Sequence, residues 1–257
     1  MLTSAKNKRI QYIRKLQSSN RFRKENNVLV IEGVRLIEES YKAGWLPDLV
    51  LFTNEVGERG KQVLNSLSEE GIKPVPVSEQ VMQAASDTHS PQGILAVIPI
   101  KNLPIPQNID FLLMIDKVRD PGNLGTILRT AQATDVDMVV ITPGTVDPYN
   151  PKVLRSGMGA HFNVPIIQCN WREVSDLLEV HQLQVYLADS SEGQPHYDMD
   201  FKSPTAIIIG GEAEGASSEA ENIAKFHIHI PMAGKIDSLN SAVAAALLMF
   251  EVIRQRI

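Results

Sequence analysis

Three short stretches in the second half of this 257-residue chain gather the side chains able to do chemistry. The first, from Asp116 to Ala131, carries Asn123 and, about two helical turns later, Arg129. The second, Gly210 to Gly215, sets Glu212 behind paired glycines, and the third joins Ile230-Pro231-Met232-Ala233-Gly234 to Ser238-Leu239-Asn240. Each follows directly on an apolar run, which is where α/β proteins build their sites. Paired glycines after a buried strand let a ligand lie against the main chain, while amides, a carboxylate and a guanidinium supply orientation and charge. Each stretch also has a plainer reading. Pro121 suits a helix's opening turn and Asn123 can cap it, so the first is equally an ordinary capped helix with a solvated arginine. Ser238 is a natural N-cap for a last helix, and Asn240 one step inside is less expected because asparagine is a mediocre helix former.

Other chemistries find no support. The G-x-G-x-x-G and G-x-x-x-x-G-K-[ST] spacings are absent, which argues against dinucleotide binding and triphosphate hydrolysis. No G-x-S-x-G pattern occurs. Cys169, the single cysteine, rules out an intrachain disulfide and a cysteine-based zinc cluster, and it reads as an inert filler. His227 and His229 alternate with Phe226, Ile228 and Ile230, the pattern of a strand's polar face, and with no third ligand in view no metal is expected.

The elements that must position these residues follow from periodicity. In the first part, strands are expected at Val28–Ile31, Leu49–Phe52, Val75–Val77 and Ile94–Ile98. Helices are expected at Val34–Tyr41, Lys61–Leu67 and near Glu79–Ala85, giving a small α/β domain over residues 1–99. Residues 100–109 include Pro104 and Pro106 soon after Pro99, so they form an extended linker. From residue 110 to 257 the alternation strengthens, with strands at Phe111–Ile115, Met138–Thr142, Val164–Ile167, Val185–Ala188, Ala206–Ile209 and Phe226–Ile230. Most are uniformly apolar, so a parallel sheet covered on both faces is expected, with helices at Leu124–Thr134, Trp171–Val180 and Leu239–Arg256.

Composition is that of an ordered globular protein, with 43% hydrophobic and 21% charged residues. The apolar runs are too short to span a bilayer, and the N-terminus lacks the apolar stretch of a secretory signal, so no membrane association and a cytoplasmic setting are expected. Net charge is −5, but it is unevenly spread. Residues 1–24 hold Lys6, Lys8, Arg9, Arg14, Lys15, Arg21, Arg23 and Lys24 and no acid, leaving 17 basic against 30 acidic residues elsewhere. Ile10, Ile13 and Leu16 at near-helical spacing make this an amphipathic helix whose cationic face is either a surface where a polyanion could dock or a solubilising one.

In this order and spacing, the three stretches resemble the motifs of the SpoU (TrmH) branch of the SPOUT RNA methyltransferases. The matching residues are Asp116, Asp120, Pro121, Asn123, Gly125, Arg129, Thr130 and Ala131, then Gly211, Glu212 and Gly215, then Ile230, Pro231, Met232, Gly234, Ser238, Leu239 and Asn240. The stretch Asp147–Gly157, and Ile31-Glu32-Gly33 with Ser90-Pro91-Gln92-Gly93 in the first domain, are also similar to the family. The likeness therefore covers nearly the whole chain. Its departures are Asp135 and Ala213, where relatives often have glycine, and Ser241-Ala242 in place of a commoner Val-Ser pair.

The resemblance implies a C-terminal α/β domain with a deep trefoil knot, a homodimer formed through that domain, and S-adenosylmethionine as cofactor. It also implies a first domain of ribosomal-protein type that binds the RNA substrate. Carried onto this chain, main-chain groups of Gly210, Ile230 and Leu239 would hold the cofactor, with Gly211, Met232 and Asn240 nearby. The reaction would be methyl transfer to a ribose 2′-hydroxyl. Asn123, Glu212, Ser238 and Asn240 would orient the reactants, while Arg129 lowers the hydroxyl's pKa, since a guanidinium hardly deprotonates. A phosphate or water would take the proton. Ribosomal (23S) RNA is favoured over transfer RNA. The rival readings are a transfer RNA enzyme, a non-catalytic RNA-binding protein of the same fold, and a metabolic α/β enzyme.

Overall fold

A computed structural model describes residues 1–189, 193–212 and 215–257. The chain forms two compact units, one of residues 1–101 with 149–162, the other of residues 102–148 with 163–257. Residues 149–162, which a linear reading assigns to the second domain, therefore pack with the first.

The first unit begins with α1 (Lys8–Ser18) and α2 (Asn20–Asn26), then β1 (Val28–Glu32), α3 (Val34–Lys42), β2 (Leu49–Phe52), α4 (Glu58–Glu69), β3 (Val75–Pro76), α5 (Glu79–Ala85) and β4 (Ile94–Pro99). Its sheet has the order β1-β4-β2-β3, antiparallel except between β2 and β3. One face carries the amphipathic helix foreseen in the basic segment: Ile10, Ile13 and Leu16 of α1 are fully buried with Val30, Leu51, Met82 and Leu95. Separate caps, Asn7 on α1 and Ser19 on α2, break the segment into two helices.

The second unit runs β5 (Phe111–Ile115), α6 (Pro121–Ala133) and β6 (Met138–Ile141), then α7 (Pro151–Gly157) within the segment that joins the first unit. It continues through β7 (Ile166–Gln168), α8 (Trp171–Val180), β8 (Gln184–Asp189), β9 (Gln194–Pro195), β10 (Thr205–Ile209), α9 (Ser218–Ile223), β11 (Phe226–His229) and α10 (Ser241–Arg256). All seven strands pair in parallel, in the order β7-β6-β5-β10-β8-β11-β9. The residues of β5, β6 and β10 are buried throughout, as uniformly apolar strands in a doubly covered sheet must be. Asp135, at one of the departures, has φ 52°, a left-handed turn that aspartate tolerates and glycine takes at no cost. Ala213, another departure, lies outside the described residues.

Within the first unit α7 packs on β1, Arg155 pairs with Asp87 at 2.5 Å, and the ring of Phe162 meets the buried Trp45 edge to face at 5.3 Å. The sequence pattern did not reveal α7, α9 or β9, which are short and lack the continuous apolar run that marks β2 and β5.

Candidate active site

The C-terminal ends of β5, β8, β10 and β11 point the same way, so the loops leaving them gather at one edge of the sheet. There the loops after β8, β10 and β11, with the start of α10, enclose a cavity of about 590 Å³, bordered by Gly210, Gly211, Glu212, Ile230, Met232, Ser238, Leu239 and Asn240. Every cofactor-binding residue expected from the sequence thus borders one space. Two glycines are required by close approach. A Cβ on Gly210 would come within 2.8 Å of the Ala216 nitrogen, and one on Gly211 within 2.4 Å of the Lys117 carbonyl oxygen. Lys117 itself takes a left-handed φ of 56°, uncommon outside glycine.

Among the described residues, the lining includes the acids Asp189, Glu212 and Asp237 and contains neither lysine nor arginine. The remaining wall is largely apolar, with Ile209, Ile228, Ile230, Met232, Leu239 and Leu248. Such a cavity favours a cationic ligand with apolar parts and disfavours a free phosphate.

Both helix starts differ from the expected ones, and the difference is informative. Asp120, not Asn123, caps α6, accepting from the Asn123 backbone nitrogen at 2.9 Å. Asn240, not Ser238, caps α10, accepting from the nitrogens of Ala242 and Val243 at 3.0 and 3.3 Å. Asn123 is thereby freed: its Nδ2 donates to Glu212 Oε1 at 2.7 Å and its Oδ1 accepts from Asn240 Nδ2 at 3.0 Å. The Glu212 carboxylate also accepts from Ser241 Oγ at 3.1 Å and the Arg119 nitrogen at 3.4 Å. Burial pushes the Glu212 carboxyl up, but hydrogen bonds from Asn123, its own backbone, Ser241 and Arg119 outweigh it and hold the pKa below the ordinary value. Behind this cluster the fully buried Asp116 accepts from Thr142 Oγ1 at 2.7 Å and the Ser217 nitrogen at 2.6 Å, tying the loop after β5 to the start of α9.

Arg129 is not brought to this cavity. It is exposed on α6, about two turns beyond Asn123, and like Asn123 does not line the cavity. Ser238 lines the cavity but caps nothing. Of the basic residues, Lys6, Lys8, Arg9, Arg14, Lys15, Arg21 and Lys24 are exposed, Arg21 pairing with Glu25 at 2.7 Å and Lys15 lying over the Phe22 ring. Arg23 corrects the expectation of a uniformly outward cationic face. Only 3% exposed, it donates to the carbonyl oxygens of Leu16 and Gln17 at 2.6 and 3.2 Å and so finishes α1.

The roles of two further residues were hidden in the sequence. Ser241 looked only like a departure, although its hydroxyl reaches Glu212. His227 does have carboxylates beside it: atoms of Asp189 on β8, Glu221 on α9 and His227 on β11 lie within 4.8 Å of one another. Cys169 is half-buried, and burial followed by the Glu173 charge pushes its thiol up, which disfavours the reactive thiolate.

Residues 110–250 match the SpoU rRNA methylase family, and residues 7–96 match the MRM3-like substrate-binding domain. The chain belongs to the SpoU rRNA methylase family. It is 34% identical over 253 residues to the 23S rRNA (guanosine(2553)-2′-O)-methyltransferase RlmP of Bacillus subtilis, a match covering 98% of each protein. Its structure is similar to that of the SpoU methyltransferase AviRb from Streptomyces viridochromogenes in complex with AdoMet, with a TM-score of 0.87 and 26% identity over 97% of this chain and 99% of that one. It is likewise similar to the AdoMet-bound rRNA methyltransferase from Sinorhizobium meliloti, with a TM-score of 0.85 and 28% identity over 100% of this chain and 98% of the other. The SpoU match spans all three stretches that supply the polar cluster.

Proposed function

We propose that this chain transfers a methyl group from S-adenosylmethionine to the 2′-hydroxyl of a ribose in ribosomal RNA, with 23S rRNA favoured over transfer RNA. The carrying observation is the cavity: segments after β8, β10 and β11 of a SpoU-family chain frame a space whose only charged lining residues, among those described, are acids. Its volume of about 590 Å³ suits a ligand of the cofactor's size, and its charge suits a sulfonium. When bound, S-adenosylmethionine supplies a methyl group carried on a positively charged sulfur.

In this reading main-chain groups of Gly210, Ile230 and Leu239 hold the cofactor, flanked by Gly211, Met232 and Asn240. Asn123, Glu212, Ser238 and Asn240 orient the ribose and the cofactor so that the hydroxyl oxygen meets the methyl carbon in line. Arg129 remains protonated and stabilises the alkoxide as it develops, and a phosphate or water receives the proton. Arg129, which does not line its own chain's cavity, would serve a site completed by a second copy. Val243, Leu247 and Phe250 of α10, exposed by 48, 45 and 54%, form an apolar stripe at helical spacing that such a homodimer would cover.

Residues 1–99 grip the RNA through the cations of α1 and α2, residues 100–109 link, and residues 110–257 carry the methyltransferase and its trefoil knot. The reaction belongs in the cytoplasm. Among the described residues no helix is long and apolar enough to cross a membrane.

The test is direct. S-adenosylmethionine should bind the purified chain in a calorimeter, and 2′-O-methyl mapping of total RNA with and without the gene should reveal a missing mark in 23S rRNA. A chain that binds no cofactor, or RNA whose marks are unchanged, would end the proposal.

A further inference from the structure

Four side chains close a ring at the cavity's edge. Asn240 and Ser241 are neighbours at the start of α10; Asn240 donates to Asn123, Asn123 to Glu212, and Ser241 closes the circuit by donating to the same Glu212 oxygen. The direction of every bond is forced. The Asn240 carbonyl oxygen must face the backbone nitrogens of Ala242 and Val243, so its amide NH2 faces Asn123. Asn123 then presents its own carbonyl to Asn240 and its NH2 to Glu212, whose Oε1 accepts two bonds while Oε2 faces the Arg119 N–H. Only an ionised carboxylate satisfies all these donors without rearrangement.

We infer that Ser241 is a positioning residue of this enzyme: its hydroxyl locks the Glu212 carboxylate and, through it, fixes the amides of Asn123 and Asn240 at the cavity. This rests on the function proposed above. Ser241 also borders the cavity, and its role is exerted through Glu212. It is largely buried, so water does not replace its hydroxyl freely, and the lost donor loosens the carboxylate's hold.

Two measurements test it. In single-turnover assays Ser241→Ala should lower the methyl-transfer rate about tenfold with unchanged RNA affinity, and Ser241→Thr, which keeps the hydroxyl, should restore it. Ser241→Ala should cost nothing further in a Glu212→Ala background, which removes the acceptor, and the same non-additivity should appear in denaturant unfolding of the ligand-free chain. Additive unfolding effects, an unchanged rate in Ser241→Ala, or failure of Ser241→Thr to rescue would each overturn the inference. A wild-type chain that transfers no methyl group would sink the proposed function instead, while the ligand-free unfolding cycle would still decide whether the ring exists.

Discussion

Each unit ends a strand or the turn after it with a glutamate that collects hydrogen bonds, and the two do opposite things. Glu32, closing β1, is 6% exposed and accepts from Ser86 Oγ, Thr88 Oγ1 and the Gln92 nitrogen at 2.5, 3.2 and 2.9 Å. All three donors lie in one short loop, so the carboxylate simply folds that loop against the sheet. Glu212, after β10, is exposed, and its side-chain donors come from positions 123 and 241, on elements remote in sequence. A buried acid with local partners is architecture. An exposed acid held by distant partners beside a cavity spends stability on geometry, the pattern expected where a reaction is positioned.

The contrast can be broken or sharpened by substitution. Arg129→Ala should have the largest effect, lowering the methyl-transfer rate about 10²–10³-fold while S-adenosylmethionine affinity and Tm stay nearly constant. A normal rate would remove Arg129 from the mechanism. If Arg129 acts across a dimer, mixing that variant with Asn240→Ala should recover activity that neither shows alone; no recovery would place both residues in one chain's site.

Glu32→Gln should act only on the fold, costing about 1–3 kcal/mol in denaturant unfolding because a buried carboxylate with charge-assisted bonds is replaced by an amide. Its rate per folded molecule should be that of wild type, and a catalytic defect would erase the distinction between the two glutamates. Neutralising Lys8, Arg9, Arg14 and Lys15 to glutamine should weaken RNA binding and reduce the slope of log affinity against log salt by about 0.7–0.9 for each phosphate left without its cation. Substitution is the proper test, since deleting residues 1–24 would remove Ile10, Ile13 and Leu16 from the core. An unchanged slope would leave α1 a structural helix.

The smallest effect is in acid. The Glu212 pKa is lowered in the folded chain, so its contribution to stability is full above the unfolded value near ~4.3 and disappears as pH falls through the folded value. Glu212→Gln should therefore flatten the stability profile below about pH 5, and an unaltered acid limb would show that the carboxylate is not held.

Much of this was legible in the chain itself. The strands β2 and β5 and the helices α5 and α8 begin and end where apolar runs and periodicity put them, because local pattern and burial agree there. Helix starts were less legible: Asp120 and Asn240 compete with Asn123 and Ser238 as caps, and composition alone cannot rank two capping residues a few positions apart. The short helix α7 and the packing of residues 149–162 with the first unit were hidden because the partners, Trp45 and Asp87, lie far upstream.

By itself the sequence determined a parallel apolar sheet, the three polar stretches behind its strands and the cationic character of its beginning, since these depend on residue type and short-range spacing. Tertiary structure alone decided that Arg23 turns inward, that Arg129 does not line its own chain's cavity, and that Ser241 joins Asn123, Glu212 and Asn240. A hydrogen bond needs two groups brought within about 3 Å in the right direction, and between residues a hundred positions apart only the folded chain supplies that.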